Sequence, residues 1–515
     1  MDENGRKRNL KAEATRWLIF FGVATVLSVL LWLGLSLTGR KNPITSFGTL
    51  VSDSSVTIGI EGKAPESLDI RTEQGTAVEQ ALLGNVYETL VSRSDTNKLQ
   101  PGIASSWQAS DDGLTYTFTL NGGMTFANGH KLDSSDVVWS LQNAVNNHYV
   151  GADQLGDLKE ITNPNANTVV ITLAKPNPRL LRALAGRAGV VYDAESKTNY
   201  AKSAVGSGPF TVSTADQSQI VLQRNDSYWG KKAASSQVTL YYYANEESMA
   251  DAMKAGKISM ALPLSASTAA ELGKTNGIAA DSGISFDKVM LAFNNDNNSP
   301  FSDERIRKMT RYAIDAKTIA KNAPDAYAPL GGPISPLEDG YEDLSGLYPY
   351  NLEQGQRMRT YFGVNYIAPI DILVPKEYES IGNDVKTAIE NLNINTNLEV
   401  LDSAADVTER MNAGTYNIAL TTMSDEGDAS VFDNGQSVFH FENGDAQQAY
   451  ANAMAATNDN DYQARMRDYA RAVSENAASD WLYTRKNFLA VSDGLQGYPK
   501  NLTDRLLPLN RLTLH

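Results

Sequence analysis

The stretch from Ile370 to Leu420, IDILVPKEYESIGNDVKTAIENLNINTNLEVLDSAADVTERMNAGTYNIAL, sets the fold class. Short apolar runs predict strands over 370–374, 398–401 and 416–420, and the longer periodic segments between them predict helices over 382–392 and 407–411. Such a βαβαβ rhythm indicates a sheet covered by helices.

The same mixture continues toward the amino terminus. Residues 289–294 read as an apolar strand, and Ser302 opens a helix with Asp303 and Glu304 in its first turn and Ile306, Met309 and Ala313 on one face. Strands are expected at 56–60, 169–173, 220–223 and 238–243, with an amphipathic helix around Met249, Ala252 and Met253. Residues 114–120 alternate strictly, with Tyr116, Phe118 and Leu120 on one face and threonines on the other, as in a half-buried strand. Asp133 or Ser134 caps a helix through Val137 and Leu141, and a helical segment is read over 179–188. The spacing of Val78, Leu82, Val86 and Leu90 predicts a helix over 77–91. These elements fit neither a sandwich nor a bundle.

Before this body lies an uncharged stretch, Trp17 to Leu37. Twenty-one residues at about 1.5 Å each span roughly 30 Å, the thickness of a bilayer's hydrocarbon core. Arg6, Lys7, Arg8, Lys11 and Arg16 precede it, while Arg40 and Lys41 alone follow closely. The positive-inside bias keeps residues 1–16 in the cytoplasm and the bulk of the chain outside, joined to the membrane through 17–37 and a spacer over 38–55. A cleaved signal peptide is the rival reading, but the core is long and Ser36-Leu37-Thr38-Gly39 offers no small-residue cleavage pattern.

Composition narrows the chemistry. The 515 residues contain no cysteine and four histidines, none at ligand spacing, so thiol chemistry is excluded and neither a resident metal nor a cofactor is expected. Formal charge is −15; residues 1–41 hold seven Lys/Arg and three Asp/Glu, leaving −19 on the remainder. An acidic exterior repels nucleic acid. Gly206-Ser207-Gly208 lacks the lysine of a phosphate cradle and reads as a tight connection, and Gly273-Lys274-Thr275 has Thr268 where a P-loop needs glycine. No nucleophile, base and acid constellation indicates an enzyme.

Six segments in order carry a family resemblance: Ser67-Leu68-Asp69 with Asn85-Val86-Tyr87-Glu88; Leu99-Gln100-Pro101-Gly102 through Trp107; Tyr116-Thr117-Phe118 through Asn128-Gly129 to Asp136-Val137-Val138; Gly206 to Phe210; Arg224-Asn225-Asp226-Ser227-Tyr228-Trp229-Gly230; and Pro300-Phe301-Ser302-Asp303-Glu304-Arg305 to Asp315. From about Val56 onward the chain resembles the extracellular solute-binding proteins of the oligopeptide, dipeptide and nickel ABC importers, family 5. The resemblance implies an α/β, periplasmic-binding-protein-like type II fold. Lobe I would comprise 52–83, 200–287 and 489–515, an inserted domain 84–199, and lobe III 288–488. It implies a short peptide closed in the cleft by hinge motion, with ABC permease subunits as partners. Where relatives place a tryptophan and then an acid for the peptide's amino group, this chain has Met423 and then Asp425 or Glu426; Glu61 and Asn294 are further cleft residues by family position. Two readings stay open beside it: a non-peptide solute (metal chelate, haem, opine or oligosaccharide), and a membrane-tethered sensor or assembly protein without transport.

Overall fold

Two long antiparallel strands, Ile278–Phe293 and Ser479–Ser492, form the spine of the protein. In this computed structural model residues 54–363 and 368–515 are described; the membrane-spanning stretch expected at 17–37 lies outside the described residues. Among the described residues no helix is long and apolar enough to cross a membrane. Ile278 to Ile284 pair with Ser492 to Lys486, and Lys288 to Ala292 pair with Thr484 to Ser479, with the register broken between the two runs.

The spine lies in an eleven-stranded mixed sheet. Beyond the break, Ile278–Phe293 pairs with Ile418–Met423, which is followed outward by Ile370–Pro375 and Thr396–Leu401 in parallel. On the other side, Ser479–Ser492 pairs with Met260–Leu264, followed by Ser55–Glu61, Gln237–Tyr243, Gln219–Arg224 and Phe210–Ala215; the short strand Ala326–Pro329 joins Ser479–Ser492 separately. Separate apolar cores fill the two ends. Ile58, Leu240, Leu489 and Leu509 belong to one, while Leu291, Ile372, Val385 and Leu482 belong to another at the opposite end.

The helices are where the apolar periodicity and caps put them, with shifted ends. Glu379–Glu390 and Ala404–Asn412 cover the parallel strands, and the Ser403 hydroxyl and Asp406 carboxylate close a capping box on the second. Asp133 and Asp136 do the same for Ser134–Asn146, which packs on a four-stranded antiparallel sheet of Ala104–Ala109, Thr115–Leu120, Thr168–Leu173 and Leu158–Asn165. Tyr116, Phe118 and Leu120 are buried there, as their alternation requires.

Three elements differ from the sequence reading. The helix expected over 77–91 is Ala77–Leu82: Gly84 at φ +73° leaves the helical path, and the Asn85 amide donates to Gln80 and Leu507 carbonyls in place of a continuing turn. The segment over 179–188 is one short helix, Leu180–Ala183, and a 3-10 turn, Arg187–Gly189. The strand read at 289–294 begins eleven residues earlier, at Ile278. Gly206 and Gly208 form the expected tight connection: a Cβ on either would collide with the Val86 carbonyl.

One buried ion pair ties the spine to the helix Glu304–Ala313. Arg311 Nε donates to Asp480 Oδ1 at 3.0 Å, Nη1 donates to the Ser474 carbonyl at 2.8 Å, and the guanidinium lies 4.3 Å from the Tyr348 ring centroid. Arg311 is 3% exposed, as is Asp480. Arg311→Ala would leave Asp480 charged and uncompensated in the core; a loss of about 3–5 kcal/mol is expected. Denaturant unfolding of the variant checks it.

Candidate ligand-binding site

A cavity of about 690 Å³ opens beside the register break of the spine. Phe286, in the break itself, lines it together with Glu79, the Arg505-Leu506 pair of the carboxyl-terminal segment, and Glu426 from the loop after strand Ile418–Met423. Arg93, Arg179 and Arg182, carried by the strand Val91–Arg93 and by the short helix Leu180–Ala183 with its N-cap, line it as well. Its size suits a ligand of a few residues.

The loop from Ser424 to Asp428 is fixed from below. Lys288, with no exposed surface at the first residue past the register break, lies 2.8 Å from both Glu338 Oε2 and Asp428 Oδ1. Glu338 also accepts from the backbone N–H groups of Ser335, at 2.8 Å, and Gly427, at 2.9 Å. Asp428 accepts from the Asp425 N–H at 3.1 Å. Two carboxylates thus share one buried ammonium. Burial pushes Asp428 up, Lys288 opposes this, and the neighbouring Glu338 charge adds to it, bringing Asp428 to about 7.

Glu426 stands at the centre of contacts that cross the cavity. Its carboxylate accepts from Arg93 Nη1 at 2.7 Å and from Asn97 Nδ2 at 2.8 Å, with Arg182 Nη1 3.5 Å away. Burial alone would raise its pKa, but Arg93, Arg182, Asn97 and Arg179 outweigh it and hold Glu426 below the usual range. Close by, Arg182 donates to both Asp339 oxygens at 2.8 Å, and Asn97 Nδ2 donates to the Leu337 carbonyl at 2.9 Å. These bonds latch the segment 84–199 onto the far half of the sheet.

The other residues singled out in the sequence lie as follows. Asp425 is two-thirds exposed and pairs with Arg505. Met423 is buried beside Lys288 in the sheet and packs in the core that contains Phe432 and Phe439. Glu61 ends its strand exposed. Asn294 is buried and donates to the Tyr416 carbonyl at 3.0 Å, while its Oδ1 accepts from the Asp296 N–H. Of these five, Glu426 lines the cavity. The arginines and the Lys288 cluster were not read from the sequence. One signal was available: a lysine heading the apolar run Val289 to Phe293 has to find buried counter-charge.

Residues 98–437 match the family model described as bacterial extracellular solute-binding proteins, family 5 Middle. Among curated proteins the chain is similar to the glutathione-binding protein GsiB of Salmonella paratyphi A, with 24% identity over 62% of this chain and 63% of that protein. It is also similar to the nickel-binding periplasmic protein of Escherichia coli K12, with 27% identity over 46% of this chain and 48% of that protein. These matches span less than two thirds of either relative. Among solved structures, the ABC transporter substrate-binding protein CtaP of Listeria monocytogenes superposes with a TM-score of 0.79 at 17% identity, covering 90% of this chain and 99% of that one. The periplasmic binding protein DppA of Helicobacter pylori, solved with the peptide STSA, gives 0.68 at 20% identity, covering 90% and 98%. At such identities the likeness establishes a shared fold.

Asp428 makes stability depend on pH in a defined direction. Its folded value lies above its ordinary 3.8, so between about 4 and 7 the folded chain keeps a proton that the unfolded chain releases. The contribution is full in acid and is lost as pH rises to about 7. Asp504, pushed up to about 6 mainly by burial, acts in the same sense. Subtracting the unfolding midpoints of Asp428→Asn from those of the native chain isolates the first group: the difference should favour the native chain progressively more from about pH 8 to about pH 5. A flat difference would mean that Asp428 does not titrate there.

Proposed function

The chain belongs to the bacterial extracellular solute-binding proteins of family 5, and on that premise we propose that it is the membrane-anchored substrate-binding component of an ABC importer that captures short peptides. Proteins of this family are in general transport components without catalytic activity, and relatives named for glutathione, for nickel and by a bound peptide bracket the class of small solutes. The observation that carries the reading is the cavity beside the spine, walled from both sides of the register break and sized for a ligand of a few residues. Two strands broken in register offer a natural hinge, and contacts across the cavity give closure something to form. The apolar stretch 17–37 supplies the tether, and a permease in the same membrane is the partner that receives the solute.

The reading is tested on the full-length chain in detergent micelles. A tripeptide mixture with free termini should raise the unfolding midpoint, as any ligand of the folded state must. Native mass spectrometry should then find peptide-sized adducts. Neither a shift nor an adduct across peptides of two to five residues would overturn the peptide reading. Closure has its own check: Arg182→Ala removes the bidentate bond to Asp339, so the radius of gyration from X-ray scattering should rise for the variant and fall back toward the native value when peptide is added.

A further inference from the structure

Resting on the solute-binding reading above, we propose that the cavity anchors its ligand by a carboxylate, with Arg179 as the receiving cation and the ligand's ammonium, where it has one, left outside the pairing. The peptide precedent puts an acid of the chain against the ligand's amino group, and the charges in the cavity are arranged the other way. Five arginines and one lysine line it, against four carboxylates, in a chain whose formal charge is −15. Three of the four carboxylates are already engaged: Glu426 by Arg93 and Asn97, Glu79 by Arg187 at 2.6 Å, and Asp157 by Lys175 at 3.3 Å.

Of the cations, Arg93, Arg182, Arg187, Arg505 and Lys175 each have a carboxylate within 4 Å. Arg179 has none among the described residues. Its guanidinium reaches the Glu426 carbonyl at 3.5 Å and the Tyr450 hydroxyl, and it lies against Gly427, where an added Cβ would fall 2.5 Å from Nη2. Gly427, at φ +78°, thus leaves room for the guanidinium and turns the loop there. On the same wall Arg93 Nε is buried with no hydrogen-bond partner. A planar carboxylate matches the fork of Arg179, and this half-buried guanidinium, which feels Glu426 only at longer range and has no carboxylate within 4 Å among the described residues, can receive one.

The test uses the full-length chain and three equimolar tripeptide mixtures: free termini, carboxyl ends amidated, and amino ends acetylated. The free and acetylated mixtures should bind alike, and the amidated mixture at least about tenfold more weakly, the size of one charge-assisted contact. Arg179→Ala should remove the discrimination between free and amidated mixtures, and Arg179→Lys should restore part of it. The three-mixture comparison on the native chain requires no variant to fold. Equal binding of free and amidated mixtures, with loss on acetylation, would overturn the carboxylate anchor while leaving solute binding intact. Silence from all three mixtures would overturn the peptide reading and this inference together.

Discussion

Lys288 has no exposed surface, sits one residue past the point where the two spine strands lose register, and is met by Glu338 and Asp428. A buried ammonium in an otherwise apolar strand is tolerable only with counter-charge at hydrogen-bond distance, because an ion isolated from water costs several kcal/mol or more. Glu338 and Asp428 have to come to the lysine, and the chain segments that carry them come along. Glu338 brings the loop around Ser335, and Asp428 brings the turn at Gly427. The position of Glu426, and through it of Arg93 and Asn97, follows from a charge that is not itself part of the cavity lining.

How much of this could be read from the residues depends on the range of the interaction. Alternation over 115–120, the cap at Asp133, and the parallel strands 370–374 and 398–401 rest on neighbours a few residues apart, and they were legible. The spine was not. Between Ala280 and Lys288 the chain reads Ala-Asp-Ser-Gly-Ile-Ser-Phe-Asp-Lys, whose polar residues and glycine resemble a turn. Residues 278–284 are extended because Ser492 to Lys486 pair with them from about two hundred positions away, and Lys288 pairs with Thr484 past the break. The opposite error, a helix run on to Val91, came from an apolar spacing that is real but serves loop packing: Val86 and Leu90 are fully buried without being helical.

The cavity was the least legible part for the same reason. Arg93, Arg179, Glu426 and Arg505 come from segments separated by dozens to hundreds of residues, and a basic pocket inside an acidic chain leaves no mark on net charge. Position in the family motif directs attention to the loop after Met423, yet motif position cannot tell whether an acid there faces a ligand or a guanidinium of its own chain. That depends on Arg93 and Asn97, which lie outside the motif.

The energetic consequence is asymmetric. For an ammonium to pair with Glu426 it must displace Arg93 or Asn97, and displacing the arginine uncovers a charge that is only 13% exposed. Breaking a pair so shielded costs about 3–5 kcal/mol when it is fully buried and less here in proportion to its remaining contact with water. Asp425 is more accessible, but it is largely in solvent and already matched by Arg505, so a contact there contributes about 1 kcal/mol at most. A carboxylate approaching Arg179 displaces no acid and gains a forked partner in a wall with an excess of positive charge. The acidic exterior opposes that approach at a distance, yet its repulsion is screened within roughly 8 Å at physiological salt, whereas the contact at the guanidinium is made inside the cavity, where water screens little. Charge at the wall therefore outweighs charge of the whole.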